Sequence, residues 1–247
     1  MNLNKKLNYK FEYTVNFKNL RYKIKNNRQL ALEAVQLNGY NLEYLNDDFK
    51  KDTEIVSAAL KQNGYALEFV KPELKKNKKI VKIAINQNSY ALKHAHLIIK
   101  RDKKIALMAI KKYCFALKHT GKNIRDNKKI VLEAIKKSGY CLKYASKRLK
   151  KDHEVALKAL KKNVLSILYV HNSLRKNKKF IIKALKKCDW GTFVEKIHYN
   201  LKKDREVIIQ AVKKWGMSLQ FASNILKKDR VIALIAVKQY CNSLEDR

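Results

Sequence analysis

The hydrophobic positions of the chain recur with a period of 25 residues. Residues 127–151 read NKKIVLEAIKKSGYCLKYASKRLKK, and residues 52–76, DTEIVSAALKQNGYALEFVKPELKK, keep the same register. Every unit begins at an Asn or an Asp. These residues are Asn27, Asp52, Asn77, Asp102, Asn127, Asp152 and Asn177, then Asp204 after 27 residues and Asp229 after 25. Such a repeat predicts stacked units that contact mainly their neighbours.

The first part of each unit is predicted to be a short α-helix. Its Asn or Asp is placed to cap the helix, because the short side chain can accept a hydrogen bond from a free backbone N–H. Ile130, Val131, Ala134 and Ile135 then follow at i, i+1, i+4 and i+5, which is one face of a helix. This face is expected to be buried.

A second short helix is expected to complete the unit. In several units a glycine is predicted to stop the first helix in the left-handed conformation. These glycines are Gly39, Gly64, Gly139 and Gly216. The second helix would then bury residues spaced i, i+3 and i+7, such as Leu142, Ala145 and Leu149.

Two columns of large side chains run through the units. The aromatic column contains Tyr40, Tyr65, Tyr90, Phe115, Tyr140 and Trp190, and the aliphatic one Leu42, Leu67, Leu92, Leu117, Leu142, Ile167 and Leu219. A tyrosine column could be a platform for stacking bases. Because it adjoins the helix turn and the leucine column, we favour packing between repeats.

The predicted architecture is all-α, a solenoid of about eight 25-residue helix-turn-helix repeats with partial terminal units. A helix of about ten residues is not stable alone, and stacking buries its apolar face. Full units span residues 27–228, and residues 229–247 keep only a first helix. Residues 1–26 are interpreted as a divergent cap of the same single domain. The two-residue insertion in unit 177–203 is expected to bend the stack.

The unit N/D-x-x-[IVL]-[VA]-x-x-A-[IVL]-K-x-x-G-[YF]-x-L-x-[YF]-A resembles the repeat called domain of unknown function 4116. The resemblance covers roughly residues 27–240, is best in 52–74 and 127–149, and is weakest in 177–203. Family copies are about two units long, and here Asn and Asp caps alternate. The resemblance implies a protein associated with giant DNA viruses of amoebae, protists or intracellular bacteria. It implies no activity.

The composition excludes several classes of protein. The 247 residues contain 46% hydrophobic residues, enough for a core, and only 6 Gly and 1 Pro. No uncharged apolar run is long enough for a transmembrane helix, and the N-terminal sequence lacks the apolar region of a signal peptide. We therefore expect an intracellular protein, in the cytoplasm, a viral factory or a virion. Cys114, Cys141, Cys188 and Cys241 lack metal-site spacing and are interpreted as buried free thiols.

The charge is large and unevenly distributed. The 57 Lys and Arg against 21 Asp and Glu give a net charge of +36, of which residues 76–247 contribute +32. Basic residues flank the caps on both sides and would form one edge of the stack. The candidate polyanion-binding residues are Lys75, Lys76, Lys78, Lys79, Lys100, Arg101, Lys103, Lys104, Arg125, Lys128, Lys129, Lys150, Lys151, Arg175, Lys176, Lys178, Lys179, Lys202 and Lys203.

The position of these lysines favours a role in binding. Lysines in a first helical turn oppose the helix dipole, whereas lysines at a helix C-terminus suit it. Local stability therefore does not account for the cap-side set, and helix N-termini could add phosphate donors. Lysines outnumber arginines 48 to 9, which predicts phosphate contacts without base readout. The alternative is an AT-rich coding sequence, although this would explain neither the scarcity of acidic residues nor the periodic spacing of the basic ones.

No catalytic constellation is visible, and no enzyme activity, cofactor or metal is expected. His94, His96 and His119 form the one histidine cluster, but no thiol or carboxylate stands at a matching offset, which favours packing over a metal site. Acidic residues near the N-terminus could bind a basic partner or a second copy head to tail, although a solvated surface is favoured. They are Glu43, Asp47, Asp48 and Glu54.

These observations predict a non-enzymatic basic solenoid. We expect it to bind RNA or DNA phosphates without sequence specificity, in a packaging, scaffold or ribonucleoprotein role. The alternative function is a structural protein–protein adaptor in a viral or host-associated complex, with a charge that is mainly compositional. Insertion into a membrane is not expected, and the sequence leaves the oligomeric state open.

Overall fold

The computed structural model describes residues 24–188 and 191–245, with side chains for residues 24–188 and 193–240. The chain is an all-α repeat solenoid, as predicted, and these described residues contain no β-strand. A typical repeat consists of a ten-residue α-helix, a 3₁₀ helix of five or six residues, and a short helical turn that leads to the next cap.

We number the longer α-helices in chain order. Within the described ranges they are α1 (Arg28–Leu37), α2 (Thr53–Gln62), α3 (Lys78–Gln87), α4 (Lys103–Lys112), α5 (Lys128–Lys137), α6 (His153–Lys162), α7 (Lys178–Lys187), α8 (Arg205–Lys214) and α9 (Arg230–Glu245). The following 3₁₀ helices are Gly39–Tyr44, Gly64–Glu68, Ser89–His94, Cys114–His119, Gly139–Tyr144, Val164–Tyr169, Gly191–Lys196 and Gly216–Phe221. The short turns are Leu74–Lys76, Leu97–Lys100, Lys122–Arg125, Lys147–Lys150, Asn172–Arg175, Tyr199–Lys203 and Asn224–Lys227.

The predicted caps are confirmed. In α5 the Oδ1 atom of Asn127 accepts a hydrogen bond from the N–H of Ile130 at 3.2 Å. The other eight Asn and Asp caps make the equivalent contact with a first-turn N–H. The apolar face is buried as expected, since Ile130, Val131, Ala134 and Ile135 are at most 3% exposed.

The prediction of a continuous second helix is wrong. In the repeat that begins at Asn127, a 3₁₀ helix ends at Tyr144, Ala145 is extended, and Ser146 caps the short helix Lys147–Lys150. The break lets the N–H of Ser146 donate to the carbonyl of Arg125 in the preceding turn at 2.9 Å. A continuous helix would use that N–H internally. Leu142, Ala145 and Leu149 are nevertheless buried, as the pattern predicted.

The prediction of left-handed glycines is also wrong. The residue before the glycine ends the helix in an extended conformation, as Ser138 does with φ −152° and ψ 124°, and none of the four repeat glycines has a left-handed φ. The glycine is required instead by close packing. A Cβ atom at Gly139 would lie 2.3 Å from the carbonyl oxygen of Ala159 in the next repeat. Glycine therefore allows a helix backbone to approach.

The chain forms two compact units, Met1–Ala109 and Ile110–Arg247, and the boundary falls within α4. In the first unit, α1, α2 and α3 pack in sequence, and in the second, α5 packs against α6 and α7 against α8. The predicted N-terminal cap lies largely outside the described residues. So does the centre of the insertion, at residues 189 and 190, and the bend predicted there stays a prediction.

The aromatic residues connect neighbouring repeats. Tyr140 meets Tyr169 edge to face with centroids 6.0 Å apart, and Tyr40 meets Phe69 at 6.1 Å. The pairs Tyr65–His94 and Phe115–Tyr144 have the same geometry. These contacts support the interpretation of the column as packing between repeats.

Three of the four cysteines, Cys114, Cys141 and Cys188, are buried thiols, as expected from their spacing. The side chain of Cys241 lies outside the described residues. Where the structure describes the chain, no helix combines the length and the apolar character needed to cross a membrane.

Candidate polyanion interface

The basic residues around each cap occupy four positions with different environments. We call the residue two before the cap the inner pre-cap residue and the residue one before it the outer pre-cap residue. The first and second residues of the helix that follows the cap are named H1 and H2. In the repeat capped by Asn127, these four positions are Arg125, Asp126, Lys128 and Lys129. The structure separates them by burial and by ion pairing.

The H1 basic residues of the Asn-capped repeats are ion-paired with the next repeat. Lys78 Nζ lies 2.7 Å from Asp102 Oδ2, and Lys128 Nζ lies 2.8 Å from both Asp152 Oδ2 and Glu154 Oε2. Lys178 is 2.9 Å from Asp204 Oδ2 and Glu206 Oε2, and Arg28 is 2.9 Å from Asp52 Oδ2. At these positions a first-turn basic residue does contribute to stability, contrary to the expectation from the helix dipole, because each one has a carboxylate partner.

These pairs account for the alternation of Asn and Asp caps. Asp152 uses Oδ1 to cap its own helix, at 3.0 Å from the N–H of Val155, and Oδ2 to bind Lys128 of the repeat before. An Asn residue can also cap the helix, but it has no negative charge and cannot form the ion pair. An Asn-capped repeat with a basic H1 residue therefore matches an Asp-capped repeat, which produces the period of about 50 residues. Arg205 extends the scheme by pairing with Asp229 at 2.8 Å.

The ion pairs favour the charged forms of Asp102, Asp152 and Lys128. The pKa of Asp102 is lowered mainly by its hydrogen bond to Lys78. Burial opposes ionisation of Asp152, but Lys128 and the helix N–H groups outweigh it, so that the pKa of this carboxyl is also lowered. The carboxylates of Asp152 and Glu154 in turn raise the pKa of Lys128. These side chains act as connections between repeats.

The exposed lysines that have no carboxylate partner lie at the neighbouring positions. The H2 lysines, Lys79, Lys104, Lys129 and Lys179, are exposed and make no ion pair within the part of the chain that the structure describes. The same holds for Lys103 at H1 and for the outer pre-cap residues Lys76, Lys151 and Lys176. Arg101 is exposed as well but already has an interaction partner, and Lys203 Nζ lies 5.7 Å from the centroid of the Tyr199 ring. These lysines are the cations available to a ligand.

The inner pre-cap residues are half-buried. They are Lys75, Lys100, Arg125, Lys150, Arg175 and Lys202. Burial lowers the pKa of Lys75, Lys100 and Lys150. Several of their backbone carbonyls accept a hydrogen bond from the next repeat, as in His96 N–H to Lys75 at 3.1 Å and His171 N–H to Lys150 at 3.0 Å. This column thus contributes to the stacking as well as to the charge.

The ion pairs between repeats were not predicted from the sequence. Their signal is a basic residue directly after an Asn cap, 24 residues before an Asp cap, as in Lys78 and Asp102 or Lys128 and Asp152. In Lys178 and Asp204 the spacing is 26 because of the insertion. The alternation was visible, but its cause required the positions of the side chains.

The histidines do not form a metal centre in the described structure. No group of three His, Cys, Asp or Glu side chains among the described residues could hold a metal ion. His94 packs edge to face on Tyr65 at 6.0 Å, and its Nε2 lies 3.8 Å from Glu68. His96 and His171 instead cap short helices with their Nδ1 atoms.

The acidic residues near the N-terminus are partly engaged within the chain. Asp47 pairs with Lys71 at 2.6 Å, and Glu54 pairs with Arg28. Glu43 and Asp48 are exposed. The head-to-tail contact suggested by these residues stays a prediction.

Comparison with known families agrees with the repeat seen in the structure. The model of the domain of unknown function DUF4116 matches residues 27–75, 52–100, 77–125, 102–150, 127–175, 152–190, 177–225 and 204–246. No curated protein and no solved structure is significantly similar to the chain. Because the matches overlap and together run from the first described cap to the last helix, the chain belongs to the DUF4116 family.

Proposed function

We propose that this protein is a non-enzymatic basic solenoid that binds the phosphate backbone of RNA or DNA without sequence specificity. The observation that carries the proposal is the difference between adjacent lysines. In the repeat capped by Asn127, Lys128 is ion-paired, whereas Lys129 is exposed and makes no ion pair within the described residues. Lys79 and Lys179 repeat this arrangement beside Lys78 and Lys178.

The charge balance supports a polyanionic partner. If every one of the 21 acidic residues neutralised one basic residue, 36 positive charges would remain. Excess charge of one sign destabilises a compact chain by self-repulsion. A bound polyanion offsets this repulsion, and binding also releases the counterions that were condensed on the polyanion. Lysine contacts phosphate as a point charge, which suits binding that ignores base sequence. The proposed role is packaging, scaffolding or ribonucleoprotein assembly in a cell or a virion.

A protein–protein adaptor is the second candidate function. It is favoured by the apolar surface of α9, where Val231, Leu234 and Val237 are 52%, 55% and 60% exposed. The equivalent of Val237 in the preceding repeat, Val212, is fully buried. An exposed face of this kind suits a protein partner.

The experiment compares two variants of equal charge change within the second compact unit. One replaces Lys129, Lys151, Lys176 and Lys179 on the cap edge with Gln. The control replaces Lys161, Lys162, Lys186 and Lys187, which are exposed at helix C-termini, with Gln. Binding to labelled RNA and duplex DNA would be measured by fluorescence anisotropy from about 50 to 300 mM salt.

We expect the wild-type chain to bind with a steep salt dependence. The cap-edge variant should bind more weakly and with a shallower slope, reduced by up to about 0.9 for each duplex phosphate that it no longer neutralises. The control should retain most of the affinity. Equal losses of affinity in both variants would indicate a general charge effect, and absence of binding near physiological salt would contradict the proposal and favour the adaptor.

A further inference from the structure

A groove in the second compact unit combines cations with an aromatic ring. It has a volume of about 530 Å³ and lies between the short helix Lys122–Arg125 and the end of the next 3₁₀ helix. Lys122, Arg125, Asp126, Tyr144 and Ser146 line it. Because this groove brings together charged and aromatic groups from two successive repeats, it differs from the lysine edge alone.

The Nε atom of Arg125 lacks an acceptor among the described residues. Arg125 makes no ion pair within them, and its Nε is buried without a hydrogen-bond partner. A buried donor without an acceptor costs free energy, more so when it is charged. Lys150, the inner pre-cap residue of the next repeat, lies close enough for its pKa to be lowered by Arg125 as well as by burial. An anion bound to the Arg125 guanidinium group in the groove would offset both costs.

The carboxylate in the lining does not neutralise Arg125. Asp126 accepts hydrogen bonds from the hydroxyl of Ser146 and from Nε of Arg148, which is 3.1 Å away. These two contacts lower the pKa of Asp126, so that its charge is present but directed toward Arg148. The exposed Lys122 adds a second cation to the lining. The net charge of the groove remains positive.

The aromatic side is formed by Tyr144. Its ring is partly exposed and packs edge to face against Phe115, with centroids 6.3 Å apart. Lys143 Nζ lies 6.0 Å from the Tyr144 centroid and 5.8 Å from the Tyr169 centroid. Aromatic rings beside cations are the components with which proteins hold unpaired bases and their phosphates.

We propose that this groove binds single-stranded nucleic acid, with a backbone phosphate on Arg125 and Lys122 and a base stacked on Tyr144. The inference rests on the proposed function and specifies the ligand. In a duplex the bases are paired and stacked internally, so they are not available to Tyr144. An acidic peptide could use the cations but has no base to stack on the ring.

The next repeat continues the arrangement. Lys150 takes the place of Arg125 and Tyr169 takes the place of Tyr144, and Lys143 Nζ is near both tyrosine rings. Arg175, one repeat further, again has a buried Nε without an acceptor among the described residues. A single strand that lies along these repeats would therefore meet a cation at each one.

The test compares a labelled oligo(dT) of about 12 nucleotides with a duplex of equal length, using the full-length chain. Tyr144→Leu removes the aromatic face without changing charge, and Tyr144→Phe keeps it. Arg125→Gln removes the guanidinium group, and Lys162→Gln is the control for loss of one charge. We expect Tyr144→Leu to weaken oligo(dT) binding about fivefold or more and duplex binding less than about twofold. Tyr144→Phe should retain the preference for the single strand, and Arg125→Gln should weaken oligo(dT) binding more than the control.

The outcomes separate this inference from the proposed function. If Tyr144→Leu and Tyr144→Phe both keep the wild-type preference while the cap-edge variant binds more weakly, the groove is not the site but the proposed function stands. If Tyr144→Leu does not fold, the other two variants decide. The inference is overturned if Tyr144→Phe loses the preference for the single strand. It is also overturned if Arg125→Gln weakens oligo(dT) binding no more than the control Lys162→Gln does. If polyglutamate of equal charge competes as well as oligo(dT), the partner is an acidic protein. If the wild-type chain binds neither nucleic acid, both proposals are wrong.

Discussion

Lys128 Nζ lies 2.8 Å from the Oδ2 atom of Asp152, the residue whose Oδ1 atom caps the helix of the following repeat. One side chain thus caps a helix and also connects it to its neighbour. The pair explains why an Asn-capped repeat alternates with an Asp-capped one. It also shows that adjacent lysines in this chain have different roles.

Asp152 provides a test of the two roles of the cap. Asp152→Ala removes both the cap and the ion pair, and it should lower the free energy of unfolding by about 1 kcal/mol or more. Asp152→Asn keeps the cap and should cost clearly less, because an exposed ion pair contributes little. Urea unfolding followed by circular dichroism measures both. Equal losses of stability in the two variants would show that the cap is not the dominant contribution.

Lys128 and Lys129 should differ in their effect on stability. Lys128→Gln removes the ion pairs with Asp152 and Glu154, so we expect a small fall in Tm. Lys129→Gln should leave Tm unchanged or raise it slightly, since a lysine in the first turn opposes the helix dipole. The difference should shrink at high salt, which screens exposed pairs. A larger fall in Lys129→Gln would contradict the assignment.

Gly64 should not tolerate a methyl group. A Cβ atom there would lie 2.3 Å from the carbonyl oxygen of Ala84, so the two backbones would have to separate. We expect Gly64→Ala to lower the free energy of unfolding by about 1–3 kcal/mol. Ser89, at the equivalent position one repeat later, already carries a Cβ atom, and Ser89→Ala is the control. If Gly64→Ala left the free energy of unfolding unchanged, the backbone contact between Gly64 and Ala84 would not be tight.

His171 should make stability depend on pH. Its Nδ1 accepts from the N–H of Ser173 at 3.1 Å, and this requires an unprotonated ring nitrogen. Burial and then the nearby Lys151 lower the pKa of His171 below 6.5. The unfolded chain therefore takes up the proton at a higher pH than the folded chain. The contribution of His171 to the stability of the fold is present above about pH 6.5, and it is lost as the pH falls through the pKa of His171 in the folded chain.

Tm measured between about pH 5 and 8 tests this prediction. It should rise with pH in the wild-type chain and less so in His171→Asn, which can cap the helix but does not titrate in this range. If Tm of the variant depends on pH as strongly as Tm of the wild-type chain, another group is responsible for the pH dependence.

Cys141 should be unreactive in the folded protein. Its side chain is fully buried, and burial raises the pKa of the thiol, with a further contribution from Cys114. Because the thiolate is the reactive form, reaction with a disulfide reagent should be on the order of a hundredfold slower than in the unfolded chain. Mass spectrometry of the labelled cysteine peptides would measure this. Rapid labelling of Cys141 without denaturant would contradict its burial.

The features that could be predicted from the sequence are local or strictly periodic. The Asn127 cap and the buried face of Ile130 and Val131 follow from hydrogen bonding and helical spacing within about ten residues. The repeat itself follows from the recurrence of these signals. These predictions agree with the structure because stacking repeats the same contacts at each step.

The features that the sequence did not settle depend on contacts between repeats. The helix is interrupted at Ala145 because the N–H of Ser146 donates a hydrogen bond to the carbonyl of Arg125 in the preceding turn. No local propensity encodes that partner. Gly139 is needed because the backbone of Ala159 approaches it, which is a distance between helices and not a turn preference.

The same distinction between periodic features and contacts between repeats applies to the candidate site. The repeat, the caps and a lysine-rich edge follow from the sequence alone, since charge and period are properties of composition and order. Tertiary packing is what brings Lys128 to Asp152, leaves Lys129 facing solvent, and places Arg125 and Tyr144 in the lining of one groove. Lys128 and Lys129 carry the same charge, so that only the packing of the next repeat distinguishes the directions of their side chains.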